Sequence, residues 1–366
     1  MVKIAQIRTH RVSVPLLYPF KAAYGVRDTA DFVLLEIEDS EGRVGLGEAS
    51  TIPIYDEGSQ GGVAYVIDKY LKPILIGRNP LEINKLMELI GNTVKGERYS
   101  RCAVNFALYD LAGKISGLPV CRLLGGVPGP VRVCWVLSAK NPHQIQEEAE
   151  IKLQEGFKTF KLKVGTTLEQ DLANLHALRE AVGKEKIRLD GNGAWSPKEA
   201  LQAIEKFAPY APEHIEQPVP AEDLGGLKYV RSRSVLPVVA DESVLTSREV
   251  FQAVALGACD RVNIKISRCG GGTEAIKMMG VARAGGVDYF WGSMLELGVG
   301  TVASAHFASA YPNPGMETEL IGPLLLKYDV LKKPLRYDKG MLYLSEEPGL
   351  GIELDRAALK EFTVIS

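Results

Sequence analysis

The sequence predicts an α/β fold, a closed (β/α)8 TIM-like barrel joined to an N-terminal α+β unit, on three observations. From about residue 130 onward, short β-branched runs alternate with capped helices. Charged residues recur near the ends of those runs at separations of 27, 26, 25 and 24 residues, the length of one βα unit. The first ~125 residues instead place strands ahead of helices.

Within residues 1–125, alternation in Phe32-Val33-Leu34-Leu35-Glu36-Ile37 and the turn Asp39-Ser40-Glu41-Gly42 before Val44 specify a hairpin. Asn79 reads as the cap of a helix with Pro80 first and Glu82 third, followed by Ile83, Leu86, Met87 and Ile90 at helical spacing. A second helix puts Ala103, Phe106, Ala107, Asp110 and Leu111 on one face and stops at Gly117.

Residues 126–323 form the expected barrel. Its strands are Val131 to Val136, Phe157 to Val164, Ile187 to Asp190, His214 to Glu216, Val238 to Asp241, Arg261 to Lys265, Asp288 to Trp291 and Met316 to Leu320. Ser196 with Glu199, and Thr246 with Glu249, read as capping boxes that start intervening helices. Parallel strands need such crossovers, and eight close around a filled interior. Residues 324–366 lack the βα rhythm and are expected to return and cover the N-terminal unit.

Composition narrows the function. The chain has 366 residues, 43 basic against 45 acidic for a net charge of −2, and is 46% hydrophobic. That balance offers no electrostatic footprint for nucleic acid or an anionic membrane, and no 18-residue apolar run exists to span a bilayer. The opening Met1-Val2-Lys3-Ile4-Ala5-Gln6-Ile7-Arg8 lacks the core of a secretory signal, so a cytoplasmic location is expected. Five cysteines, an odd number without a Cys-x-x-Cys pair, indicate neither a disulfide framework nor a zinc knuckle.

Reacting groups of a barrel gather at the C-terminal ends of its strands. Lys161 and Lys163 share one face of their strand by alternation; their mutual repulsion and desolvation are expected to lower a lysine pKa toward neutrality and make it a base. Asp190, Glu216 and Asp241 end three consecutive strands, which lie roughly 4.8 Å apart, so their head groups can meet. Three converging carboxylates need a cation, and an all-oxygen set without His or Cys favours Mg²⁺, with Mn²⁺ next. Lys265, four strands from Lys163, is expected to face it across the cavity. A substrate carboxylate on the dication would then expose its α-hydrogen to a lysine on either side.

The set Lys161-Leu162-Lys163, Asp190-Gly191-Asn192, Ile215-Glu216-Gln217-Pro218, Ala240-Asp241-Glu242-Ser243 and Lys265-Ile266-Ser267 resembles the enolase superfamily, specifically its muconate-lactonizing-enzyme subgroup. The resemblance covers the whole chain and implies a modified (β/α)7β barrel with a cap built from both chain ends. It implies that Asp190, Glu216 and Asp241 bind Mg²⁺, that Lys163 and Lys265 are the acid/base pair supported by Lys161, and that Asn192 and Glu242 flank the metal ligands. It also implies a homo-oligomer.

The stretch Gly292-Ser293-Met294-Leu295-Glu296 with Gly298-Val299-Gly300-Thr301 resembles the seventh-strand region of muconate cycloisomerases, and its glycine turn is expected to offer backbone N–H groups to a substrate carboxylate. The run Thr318 to Leu326 is similar to the cycloisomerase stretch, whereas dipeptide epimerases carry Asp-x-Asp there; this chain has Glu319 and then Ile321. Trp291 either narrows the pocket and offers a π face or packs as a core tryptophan. Tyr24, Tyr55, Trp291, Ser293, Glu296 and Glu319 are the candidate substrate contacts. Gly270-Gly271-Gly272 reads as a tight βα turn, and His306 as structural.

The expected activity is that of a Mg²⁺-dependent isomerase working through a metal-stabilised enolate on a small carboxylate, as a muconate cycloisomerase. Its alternatives are a racemase or epimerase of N-acylated amino acids or dipeptides and an o-succinylbenzoate synthase-like dehydratase. A noncatalytic carboxylate-binding barrel is the rival from another class, and the complete lysine pair argues against it.

Overall fold

The computed structural model describes residues 2–364; Met1 and the last two residues of the segment 324–366 lie outside the described residues. Strands β1 (Ile4–Ala22), β2 (Gly25–Asp39) and β3 (Val44–Thr51) form an antiparallel sheet in that order. The helix Arg98–Ser116 packs against β3 at very close range. A Cβ on Gly45 would lie 2.2 Å from the Ala107 carbonyl oxygen, and one on Gly47 only 1.9 Å from that of Ala103, so both positions require glycine.

The helix expected from Asn79 begins later, at Ile83, and runs to Thr93. Asn79 makes a turn ahead of it: its side chain accepts from Leu81 N at 3.1 Å and its carbonyl from Glu82 N at 3.2 Å. Asparagine competes for local backbone donors in this way, which leaves residues 80–82 outside the helix.

After β4 (Val131–Arg132), seven strands form one parallel sheet in sequence order: β5 (Trp135–Leu137), β6 (Thr159–Lys163), β7 (Lys186–Asp190), β8 (Ile215–Glu216), β9 (Val238–Ala240), β10 (Arg261–Ile264) and β11 (Asp288–Trp291). A helix follows each. Asn141 with Gln144 and Ser196 with Glu199 close capping boxes, and Glu249 accepts from Thr246 N at 2.8 Å.

The segment 316–320 joins the two edges of the sheet as an extended run with one parallel bridge, Val133 to Thr318, rather than a full strand. Its backbone bonds run from Cys134 N to Thr318 O at 2.7 Å and from Glu319 N to Trp291 O at 3.0 Å. Among the described residues a single 3-10 turn, Gly322–Leu325, and no crossover α-helix follows it, so the barrel is the (β/α)7β form. The first expected strand is divided: β4 turns away to pair with β13 (Met341–Tyr343), itself paired with β12 (Arg336–Asp338). The chain's end also reaches the cap, through the Leu16–Leu326 and Val12–Thr363 bridges and a two-bonded Arg356–Glu36 pair at 2.7 Å.

Alternation along β7 turns Lys186, Arg188 and Asp190 inward. Arg188 is fully buried beneath Asp190, paired with Glu213 at 2.8 Å and Glu317 at 3.0 Å and lying 5.1 Å from the Phe290 ring. The barrel floor is therefore ionic, and the apolar core lies mainly between strands and helices. Among the described residues, no helix is long and apolar enough to cross a membrane.

Candidate active site

Sheet register builds the site. Lys163 pairs with Asp190 across β6 and β7, and Asp190 with Glu216 across β7 and β8, while Asp241 directly follows β9. All three carboxylates are fully buried, and one oxygen from each lies within 4.8 Å of the others. Burial and the neighbouring Asp190 push the Glu216 carboxyl well above the ordinary range. Burial would also raise Asp190 and Asp241, but Lys161 and Lys163 beside the first, and Arg268 and Lys265 beside the second, hold both well below it. Three oxygen donors under mutual repulsion, with no nitrogen or sulfur among them, fit a hard divalent cation.

The lysines do not behave as their mutual repulsion suggests. Lys161 Nζ lies 2.9 Å from Asp190, 2.8 Å from Glu216 and 2.8 Å from Glu319, and Lys163 Nζ lies 2.6 Å from Asp190. Burial pulls both pKa values down, but the facing carboxylates outweigh it, so both are raised rather than lowered toward neutrality. Lys265 Nζ lies 2.6 Å from Asp241 Oδ2. Lys161, Lys163 and Lys265 line one cavity with Phe20, Tyr24, Tyr55, Val136, Ser293 and Glu319, of which about 30 Å³ is open to the centre of a water-sized group.

Asn192 adopts φ +43°, a conformation asparagine tolerates better than most residues. It accepts from Lys163 Nζ at 3.0 Å and donates to Glu242 Oε1 at 2.9 Å. The other Glu242 oxygen has no partner, and burial with Asp241 and Asp190 nearby pushes this carboxyl up to about 7.

Tyr24 and Tyr55 reach the cavity from the cap with ring centroids 4.7 Å apart. The structure turns Trp291 away: its Nε1 donates to Tyr311 O at 3.0 Å and its ring meets Tyr289 edge-on, because alternation on β11 sends Phe290 inward instead. Glu296 lies behind the cavity wall, accepting from Ser267 Oγ at 2.7 Å and Met294 N at 2.9 Å. Ser293 lines the cavity but donates its hydroxyl to Glu296. The glycine turn is not free for a substrate. Glu48 of β3 accepts from Leu297 N at 2.8 Å and Gly300 N at 2.6 Å, and Asp329 accepts from Gly298 N at 3.0 Å.

Three supporting residues escape a reading of strand ends. Asn263 donates to Glu216 Oε1 at 2.9 Å; it stands two residues before Lys265 on the same inward face, so alternation could have found it. Gln217, at φ +33°, accepts from Asp241 N at 2.9 Å and donates to Ser243 Oγ at 2.7 Å. Arg268 bonds both Asp241 and Tyr55. Beside the cavity, across Phe20 and Val136, a groove of about 730 Å³ runs between Tyr18, Val26, Trp135, Lys140 and Ile151.

Family comparisons agree with this architecture. Residues 4–125 match the mandelate racemase / muconate lactonizing enzyme N-terminal domain, and residues 144–358 match the enolase C-terminal domain-like family. The chain is 36% identical to an L-Ala-D/L-Glu epimerase of Bacillus subtilis over 96% of its own length and 97% of the epimerase. It is 35% identical to muconate cycloisomerase 1-2 of Acinetobacter lwoffii over 97% of its own length and 94% of that enzyme. The solved structure of a Pseudomonas fluorescens muconate lactonizing enzyme complexed with muconolactone superposes with TM-score 0.96 at 33% identity, over 99% of each chain. A barrel with this cap, matched over both parts by these relatives, makes the chain an isomerase that belongs to the mandelate racemase / muconate lactonizing enzyme family of the enolase superfamily.

Proposed function

We propose that this isomerase is Mg²⁺-dependent, with Mn²⁺ as a substitute, and acts on a small dicarboxylate as a muconate-type lactonizing enzyme. The observation that carries the reading is that Lys163 and Lys265 line one cavity beside Asp190, Glu216 and Asp241. Those three carboxylates would hold the cation, which when bound supplies the charge that stabilises an enediolate. The remote carboxylate of the substrate adds to the conjugated double bond, and Lys163 delivers its Nζ proton to the carbon α to the other carboxylate. Lys265 stays charged and offsets the developing anion. Lys161 supports Lys163 by pairing with Glu216 and Glu319, each at 2.8 Å. Assembly as a homo-oligomer in the cytoplasm belongs to the same proposal.

The closing segment supports lactonization over amine recognition. Glu319 is engaged by Lys161, and the residue two further on is the fully buried, apolar Ile321, so no acid pair faces a substrate ammonium. A second reading, racemase or epimerase of N-acylated amino acids or dipeptides, is favoured by the groove across Phe20 and Val136, which has room for a larger substrate.

One experiment separates the two. The metal-loaded protein is incubated in D₂O with muconates, N-succinyl amino acids and dipeptides, and product and α-deuterium are followed by NMR. Lactone formation supports the cycloisomerase; deuterium entering both enantiomers selects the racemase. Absence of any Lys163-dependent turnover or exchange defeats both, and EDTA removes activity that Mg²⁺ restores.

A further inference from the structure

We propose that Arg268 is a positioning residue that couples the cap loop 52–58 to the cation site, presenting Asp241 through one oxygen while holding Tyr55 against Lys265. The inference rests on the metal reading above for its first half and on geometry alone for its second.

Arg268 lies three residues after Lys265, in the short helix Ile266–Cys269, and is only 2% exposed. Each edge of its guanidinium is committed. Nη2 donates to the Asp241 carbonyl at 2.8 Å and to Asp241 Oδ1, Nη1 donates to the Tyr55 hydroxyl at 2.8 Å, and Nε lies 3.8 Å from Asp56 Oδ2. With Oδ1 engaged, Oδ2 is the Asp241 oxygen facing Lys265 Nζ at 2.6 Å and the Tyr55 hydroxyl at 3.0 Å. Arg268 therefore fixes the rotation of the Asp241 carboxylate and so which of its oxygens faces Lys265 and Tyr55. The same guanidinium fixes the Tyr55 hydroxyl, which also accepts from Lys265 Nζ at 2.9 Å.

The loop has three side-chain holds on its own domain: Arg98 Nη2 and Tyr99 OH donate to Asp56, each at 3.1 Å, and Arg98 Nη1 donates to Glu57 Oε2 at 3.3 Å. Arg268 belongs to the barrel, so it ties the loop to a ligand of the proposed metal. A lysine could reach one of these acceptors but not three diverging ones, because only the planar fork presents donors in fixed, separate directions.

The test compares the parent with Arg268→Lys and Tyr55→Phe by Mn²⁺ titration (EPR) and by the rate at which a glutamyl endopeptidase cleaves the loop after the exposed Glu57. Arg268→Lys is expected to weaken Mn²⁺ binding about ten- to a hundredfold. It is also expected to speed cleavage about five- to tenfold, as loss of one or two buried hydrogen bonds implies. Tyr55→Phe speeds cleavage similarly but leaves Mn²⁺ affinity within about threefold, since the hydroxyl donor is the smaller part of the Asp241 support. A folded Arg268→Lys protein matching the parent in both readouts overturns the proposal. If that variant does not fold, unchanged cleavage in Tyr55→Phe overturns it instead. A parent that binds no Mn²⁺ defeats the metal reading and the first half with it, while the cleavage arm still judges the Arg268–Tyr55 hold.

Discussion

Lys161 Nζ donates to Glu319 Oε1 at 2.8 Å, so one buried ammonium links the segment that closes the barrel to two carboxylates of the proposed metal site. Replacing it by methionine would leave Asp190, Glu216 and Glu319 facing one another without their shared cation. Lys161→Met is expected to cost about 3–5 kcal/mol of stability, as removing one partner of a buried ion pair does. Added Mn²⁺ should recover part of that loss, and urea denaturation with and without the metal measures both quantities.

Lys163 and Lys265 are each expected to be dispensable for folding and not for turnover. Lys163→Ala should lower kcat by about 10²–10⁴, the usual range for a lost general acid or base, with an unchanged circular dichroism spectrum. A variant that keeps parental turnover removes Lys163 from the chemistry.

His306 makes stability depend on pH far from the site. Its Nδ1 accepts from Cys121 N at 3.2 Å, which leaves the proton on Nε2, 3.3 Å from Leu350 O, and burial lowers its pKa from 6.5 to about 4. Above pH 6.5 the ring is neutral folded or unfolded. Between 6.5 and 4 the unfolded chain binds a proton that the folded one refuses, so stability should fall with pH by about 3 kcal/mol. His306→Asn keeps an acceptor for Cys121 and should flatten this part of the profile, which urea midpoints measured across that range will show.

Glu48 carries the junction between cap and barrel. Glu48→Ala strips two buried N–H groups, of Leu297 and Gly300, of their acceptor, and about 2–4 kcal/mol should be lost at roughly 1–3 per orphaned donor less relaxation. Calorimetry decides this, and a melting temperature equal to the parent's would mean that water replaces the carboxylate.

Phe20 stands between the lysine-lined cavity and the wider groove. Phe20→Ala should raise kcat/KM for bulkier carboxylates by about tenfold relative to a six-carbon diacid, a gain on the scale that apolar pocket changes allow. A substrate panel run on both proteins checks it.

Much of this architecture was legible because it depends on local rules. Alternation put Lys161 beside Lys163, and the spacing of one βα unit set Asp190, Glu216 and Asp241 on consecutive strands, where register aligns Asp190 with Glu216. What escaped was decided by tertiary partners. Arg268 reads as an ordinary helix residue until Tyr55 arrives from more than two hundred positions away. Gly298 and Gly300 read as an anion site until Asp329 takes the Gly298 N–H and β3 delivers Glu48 to that of Gly300. The lysine pKa values went the other way for a similar reason: the repulsion between Lys161 and Lys163 is visible in the strand, whereas the stronger attraction comes from neighbouring strands.

The segment 316–320 is held by few ladder bonds, yet Glu317 grips Arg188 and Lys186 and Glu319 grips Lys161. The hoop of the barrel is thus fastened at its seam by side-chain charge more than by backbone pairing. Pairs this deeply buried are screened only weakly by salt, but they leave the segment's few backbone bonds without ladder neighbours to protect them. The amides of Thr318 and Glu319 should therefore exchange with solvent earlier than those of β6 and β7, and the ring would begin to open beside the groups that do its chemistry.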